Sequence, residues 1–308
     1  MIYKSSSLQV IHAVWSRMRG KFPAGLIILF IMMIAGCGHQ VPKEKTESHK
    51  RVKMSVLPAY SLPLMTQRFI PLVNYLSETT GYKIEYISSL NYRTYLTTLE
   101  GAQVDIGFQN PLFYTILAKT KGAYPLVKAL DSSGNSDYRG VIITHIKSGM
   151  DTIASLNGKK VMTASKKSVG GYLAQTSLCL QNGIDPGKDL SVILARSQDE
   201  VISKVYRQKV DAGFVREDVL PAVKDKIKLS QIKIIAYTEY FPNWCFAAFS
   251  HTDKDVAEKI KQALLKLDKN NPEHYKILEK AEISGFIEAS DTDYEIMRKK
   301  AEILKVPY

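Results

Sequence analysis

Cysteine is scarce in this chain: Cys37, Cys179 and Cys245 are the only three in 308 residues. Their spacing excludes a zinc site and a Cys-x-x-Cys redox pair. Cys179 and Cys245 lie in apolar runs and read as buried small hydrophobes; a disulfide between them stays open. The six histidines are scattered, without a His-Glu-x-x-His pair. A Gly-x-Ser-x-Gly elbow and a Walker loop are missing too. The expectation is a protein with no metal, no cofactor and no catalytic residues. Dense Lys/Arg blocks are also absent. The formal net charge is +12, and the first 36 residues, with Lys4, Arg17, Arg19, Lys21 and no acid, account for four of it. The rest is spread along the chain, which suits a solvated surface near an anionic membrane and speaks against nucleic-acid binding. No apolar run reaches the roughly 20 residues of a comfortable transmembrane helix.

What is present begins with a leader. A basic stretch precedes the apolar run Leu26–Ile34, and Ile34-Ala35-Gly36-Cys37 follows. Basic region, short apolar region and small residues before a cut make a secretory signal. The small-small-Cys ending resembles a bacterial lipobox, in which Cys37 is lipidated and becomes the new N-terminus; an uncleaved anchor is the alternative. Met18 offers a second start codon. Residues 1–37 are therefore read as signal peptide and lipobox, and 38–51, polar and without periodicity, as a flexible tether.

In the remaining chain one pattern occurs twice. Val104-Asp105-Ile106-Gly107-Phe108 returns as Val210-Asp211-Ala212-Gly213-Phe214. Tyr92, Tyr95, Leu96 and Leu99 precede the first copy, and Val201, Ile202 and Val205 the second, at helical spacing. Each copy is a helix, a polar turn and a short buried strand. Coincidence is the bland alternative, but the preceding helix pattern recurs as well. Hydrophobic residues make up 45% of the chain, enough for two cores. The reading is an α/β protein of two lobes, 52–145 with 239–308 and 146–238, each presenting strand ends to a shared cleft. Within it Val52–Leu57 is a first strand, Met65, Phe69, Leu72, Val73 and Leu76 face the core from a helix that Gly81 closes, and Thr252 caps a later helix.

One stretch carries ligand chemistry of its own. Ser165-Lys166-Lys167-Ser168-Val169-Gly170-Gly171 leads from a strand into a helix start, where free backbone N–H groups and the positive dipole end favour an anion. Glycine lets the backbone approach closely, and Ser168 adds a hydroxyl. An ordinary capped helix is the competing reading. Tyr60, Tyr92, Asn110 and Tyr138 stand at strand or loop ends facing the cleft; Tyr92 and Tyr138 fit equally well as core aromatics.

Several stretches, in order and spacing, are similar to one family. These are Gln67-Arg68-Phe69-Ile70-Pro71-Leu72, Val104-Asp105-Ile106-Gly107 with Asn110-Pro111-Leu112, Tyr138-Arg139-Gly140-Val141-Ile142, Gly171-Tyr172-Leu173, Asn182-Gly183-Ile184-Asp185-Pro186 and Val210-Asp211-Ala212. From about Val52 to Leu304 the chain resembles the lipid-anchored solute-binding proteins of phosphate/phosphite/phosphonate-type ABC transporters. The resemblance implies a two-lobed periplasmic-binding-protein fold of type II, each lobe a mixed sheet flanked by helices. It also implies a small anionic solute held between the lobes, an ABC permease as partner, a lipid anchor on the outer side of a bacterial membrane, and no catalysis. It places Ser168, Val169, Gly170 and Gln198 at the ligand. Three departures bear on specificity. Ser168-Val169-Gly170-Gly171 replaces a Ser-Thr-Ser-Gly run, Ser197-Gln198-Asp199 replaces Ser-His-Asp, and Arg216 stands where an acidic residue meets a ligand amine. These speak against an aminoalkylphosphonate. Arg216 can hold an oxyanion bidentately or pair with Glu217 or Asp218. A sensory lipoprotein that presents its ligand to a signalling partner is the alternative function.

Overall fold

Alternation in the run from Arg51 to Val56 buries Val52, Met54 and Val56 in the core, as the period of two in a strand requires. In the computed structural model of the chain this run is β1 (Arg51–Val56). The structure describes residues 50–59 and 61–306, and of Tyr92 and Arg93 the backbone only. After β1 comes α1 (Leu62–Thr80), whose face of Met65, Phe69, Leu72, Val73 and Leu76 is buried throughout. Gly81 ends it at a φ of 73°, a left-handed conformation that glycine adopts without Cβ strain. Pro71 lies inside the helix.

The chain continues through β2 (Lys83–Ile87), α2 (Tyr92–Ala102), β3 (Ile106–Gln109), α3 (Pro111–Lys121) and β4 (Tyr124–Leu130). Then come β5 (Asp137–His145), β6 (Lys160–Thr163), α4 (Ala174–Gln181), β7 (Ser191–Leu194), α5 (Gln198–Tyr206), β8 (Ala212–Arg216) and β9 (Ile232–Pro242). It closes with β10 (Cys245–Ala248), α6 (Lys254–Leu265), α7 (Pro272–Ala281), β11 (Gly285–Glu288) and α8 (Glu295–Ile303).

Two mixed sheets result. The first has the order β11-β4-β10-β3-β1-β2 and the second β7-β6-β8-β5-β9. In each, the strand of the repeated unit is central. β3 runs parallel to β1 and antiparallel to β10; β8 runs parallel to β6 and antiparallel to β5. The two-lobed α/β architecture is therefore the one expected.

The sheets exchange the chain at other points than 145/146 and 238/239. β5 lies wholly in the second sheet, and β9 stays there to Pro242, because the two strands pair from Asp137 opposite Pro242 to His145 opposite Ile232. The crossings are residues 131–136 and Asn243, and they are tied together where the Asn243 amide donates to the Ser136 carbonyl at 2.9 Å. Asp131 folds the first crossing into a turn by accepting from the amides of Ser133 and Asn135, each at 2.9 Å. A second correction concerns α6. Asp253, not Thr252, caps it by accepting from the Asp255 amide. The Thr252 hydroxyl donates instead to Asp105 O at 2.7 Å.

Between the sheets, α3 and α8 from the first lobe pack against the start of α4. Leu112, Met297 and Ala301 share one apolar cluster with Tyr138, Val169, Leu173, Ala174 and Phe241. Buried Lys300 on α8 donates to Glu239 on β9 at 2.5 Å.

Candidate functional site

The second sheet's parallel strand β6 leads into the serine- and glycine-bearing stretch. Ser168 is extended, and its hydroxyl oxygen accepts from the Gly171 amide at 3.1 Å. Its carbonyl accepts from both Tyr172 N at 3.1 Å and Leu173 N at 3.0 Å. The five residues Val169–Leu173 form one π-helical turn before α4 begins. Such turns are rare and cluster at functional positions. Val169 and Gly170 are buried, yet among the described residues nothing accepts from their amides. Buried amides are nearly always paired. Two unpaired donors at a positive helix end are chemically able to donate hydrogen bonds to an anion's oxygens.

β8 leads to the other half. The Arg216 guanidinium lies 3.9 Å from the centre of the Tyr138 ring. Its Nε donates to Asp218 Oδ1 at 2.8 Å and its Nη2 to Asp218 Oδ2 at 2.5 Å. The open choice for Arg216 thus includes an ion pair with Asp218. Glu217 is occupied by Arg139, at 2.6 and 2.9 Å. Burial alone lowers the Arg216 pKa, but the charge and hydrogen bonds of Asp218, with Tyr138 and Asp131 behind, raise it overall. Arg216 is a fixed cation. Its amide donates to Gln198 Oε1 at 2.6 Å, so Gln198 holds the strand end on which Arg216 stands.

The two halves touch. A Cβ at Gly170 would stand 2.5 Å from Tyr138 Cε2 and 2.9 Å from Arg216 Cγ. Only glycine lets the π turn seat on the Tyr138–Arg216 stack. Tyr138, Ser168, Val169, Gly170, Gln198 and Arg216 are therefore brought together in space. Asn110 comes from the first sheet. It is buried, and its Oδ1 accepts from the Phe113 amide at 2.9 Å as the cap of α3. Its neighbour Leu112 shares the apolar cluster of Tyr138 and Val169. Tyr60, the side chain of Tyr92, and Cys37 lie outside the described residues.

Sequence reasoning missed two residues beneath the turn. Gln175 donates to Gly170 O and Thr163 to Gly171 O. The available signal was an amide side chain between Ala174 and Thr176, one turn after the glycine pair. Cys179 and Cys245 are free and buried, in clusters of different lobes, so no disulfide joins them. Burial pushes both thiols up to about 12. Among the described residues no group of His, Cys, Asp and Glu is placed to hold a metal ion, and no helix is long and apolar enough to cross a membrane.

Residues 54–294 match the family described as ABC transporter, phosphonate, periplasmic substrate-binding protein. The chain belongs to that family. Its members are extracytoplasmic solute-binding proteins rather than enzymes; they take small phosphonate or phosphate ligands and work with an ABC transporter. A relative in this family, the phosphate-import protein PhnD of Mycolicibacterium smegmatis, is 22% identical over 80% of this chain and 81% of its own. The tetrathionate sensor histidine kinase TtrS of Salmonella typhimurium is 24% identical over 63% of this chain, which spans 36% of the kinase. Among solved structures, PhnD1 of Prochlorococcus marinus in complex with methylphosphonate superposes with a TM-score of 0.69 at 18% identity, covering 83% of this chain and 98% of that one. At that identity the likeness establishes the shared two-lobed fold.

Proposed function

We propose that this member is a lipoprotein, anchored through Cys37, that captures a small oxyanion of the phosphate, phosphite or phosphonate class between its lobes and delivers it to an ABC permease. The observation that carries the reading is the pair of unpartnered amides of Val169 and Gly170 on the Tyr138–Arg216 stack. A helix N-terminus contributes roughly 0.3–1 kcal/mol to an exposed anion and about 2 kcal/mol when partly buried. Micromolar binding needs about 8 kcal/mol. Further donors must converge, and closure must exclude water to strengthen them. Arg216 supplies the second part of the grip with the guanidinium edge that Asp218 leaves over, and Ser168, Gln198 and Asn110 complete the wall with Tyr60 and Tyr92. The lobes, exchanging the chain at residues 131–136 and 243, close about those crossings as a hinge.

The two acids that follow β8 are both taken, Glu217 by Arg139 and Asp218 by Arg216, so neither is left to meet a ligand amine, which favours an oxyanion with an uncharged remainder. The partial likeness to a tetrathionate sensor supports the second reading, a lipoprotein that presents a captured anion to a signalling partner. Thermal shift and calorimetry with phosphate, phosphite, methylphosphonate and tetrathionate test both, because a ligand bound only by the folded state raises its melting temperature. A response to a phosphorus oxyanion alone is the expected result. A response to tetrathionate alone moves the protein to the sensory reading, and no response to any of the four removes the oxyanion reading. Lipid labelling that persists in Cys37→Ala would remove the anchor.

A further inference from the structure

The π turn has an underside. Gln175 is fully buried, and its Nε2 lies 2.7 Å from Gly170 O, 3.0 Å from Val215 O and 3.3 Å from Val141 O. One amide nitrogen thus ties the turn to β8 near its end and to β5 at its middle, the strands that carry Arg216 and Tyr138. The same side chain fills the place of a Cβ at Gly140, which would stand 2.3 Å from Nε2. Its Oε1 is buried and has no partner. An unmatched buried acceptor is unfavourable, and turning the amide over would set an oxygen against three carbonyl oxygens. The orientation is fixed by the donors. Thr163, also fully buried, donates from Oγ1 to Gly171 O at 2.6 Å. So the carbonyls of Gly170 and Gly171 are both held inward by side chains, at a turn whose Val169 and Gly170 amides are left without acceptors.

Resting on the oxyanion reading above, we propose that Gln175 and Thr163 are positioning residues for anion binding: by holding the carbonyls of Gly170 and Gly171 into the core, they keep those two oxygens away from the anion, beside the Val169 and Gly170 amides whose own peptide planes are held through the Ser168 and Val169 carbonyls by the amides of Tyr172, Leu173 and Ala174. Either of these two peptides, free to rotate, would turn its carbonyl oxygen toward the anion and set a repulsive dipole beside the attractive amides. Pre-set dipoles avoid that reorganisation on binding. Neither side chain touches the ligand.

The test uses the full chain with phosphate, phosphite and methylphosphonate as probes, by calorimetry and by amide signals of isotope-labelled protein. In the wild type, at least one probe shifts the Val169 and Gly170 amide signals. Thr163→Val and Gln175→Met keep the shape and remove the donors. Each is expected to bind that probe at least tenfold more weakly at a temperature where it is fully folded, and Thr163→Ser, which keeps the hydroxyl, is expected to restore binding to within about threefold. A purely structural role would lower the melting temperature of the variants and leave their affinity when folded unchanged. Should Gln175→Met fail to fold, the Thr163→Val and Thr163→Ser pair decides. Equal affinity of Thr163→Val and wild type overturns the proposal while leaving the oxyanion reading intact. Wild-type amides that respond to none of the three anions overturn the oxyanion reading, and this inference with it.

Discussion

In the first sheet the Asp105 carboxylate accepts from the Lys53 amide at 2.8 Å, and its own amide donates to Lys53 O at 2.9 Å. In the second, Asp211 makes the same two bonds to Lys160, at 2.8 and 3.0 Å. Each aspartate follows a turn with a non-glycine residue in the left-handed region, Gln103 at a φ of 51° and Gln208 at 54°. Each precedes a central strand with one parallel and one antiparallel neighbour. The units part only after Phe108 and Phe214. The first runs into Gln109-Asn110-Pro111, a capped helix start. The second runs into Arg216-Glu217-Asp218, a short turn whose two carboxylates each grip an arginine, Glu217 that of Arg139 on β5 and Asp218 that of Arg216. The repeat is architecture, and what distinguishes the lobes chemically lies where each strand ends and the next turn begins.

Arg216→Ala tests that difference most strongly. Removing one partner of an enclosed ion pair is worth roughly 2–5 kcal/mol in binding, and here it also uncovers the Tyr138 ring and strands Asp218. Calorimetry with whichever phosphorus oxyanion binds the wild type should show a loss of that size. Unchanged affinity would make Arg216 a structural partner of Asp218 alone, and the lobes would then differ in form but not in use.

The next comparison is between the glycines at equivalent places in the two strands. A Cβ at Gly213 would stand 2.6 Å from Val201 Cγ1 and 3.0 Å from Val205 Cγ2, stiff branched side chains on the buried face of α5. At Gly107 it would stand 2.5 Å from Gln109 Oε1, the far end of a longer side chain. Overpacking costs about 1–3 kcal/mol. Gly213→Ala should sit near the upper end and Gly107→Ala near the lower in denaturant titrations. The reverse order would mean that the buried Gln109, which accepts from Tyr95, yields less than the valines.

The repeat was legible because both its signals are local. Helical spacing in Val201, Ile202 and Val205 and the Val-Asp-x-Gly-Phe run need no long-range information. Asn110, Ser168 and Arg216 were legible as positions, since each follows a strand. Their partners were less so. Arg216 had two carboxylates within two residues, and only the pairing of Arg139 with Glu217 leaves Asp218 for it. The lobe crossings were misplaced because β5 and β9 pair with each other across 86 or more residues of sequence, from His145–Ile232 outward, and no local pattern marks where such a ladder begins. Gln175 escaped notice because its importance lies in three carbonyls from three other segments.

Smaller effects are expected where the units agree. Asp105 is half-buried and Asp211 exposed. A hydrogen bond to a charged group contributes about 1.5–3 kcal/mol, and exposure reduces it. Asp105→Ala should cost about 2 kcal/mol of stability and Asp211→Ala about 1 kcal/mol, by chemical denaturation. Equal losses would show that the carboxylates fix the turns through geometry rather than through a shielded charge.

The last contrast concerns the two caps. Ser168 caps the π turn through its hydroxyl oxygen and Asn110 caps α3 through Oδ1. Losing either acceptor costs about 1 kcal/mol, so Ser168→Ala and Asn110→Ala should lower stability alike. Asn110→Asp separates capping from binding. It keeps an oxygen for the Phe113 amide and suits the positive helix end, so stability should stay within about 0.5 kcal/mol of the wild type. It also removes the Asn110 amide donor and adds a negative charge to the cleft wall. If that amide faces the anion, affinity should fall by about 1 kcal/mol or more, and the fall should shrink as added salt screens the charge. Ser168→Ala, which changes no charge, should weaken binding by about 1 kcal/mol with no change in its salt dependence. An Asn110→Asp protein of wild-type stability and affinity would leave Asn110 as a cap alone, with the first lobe holding the ligand through other residues.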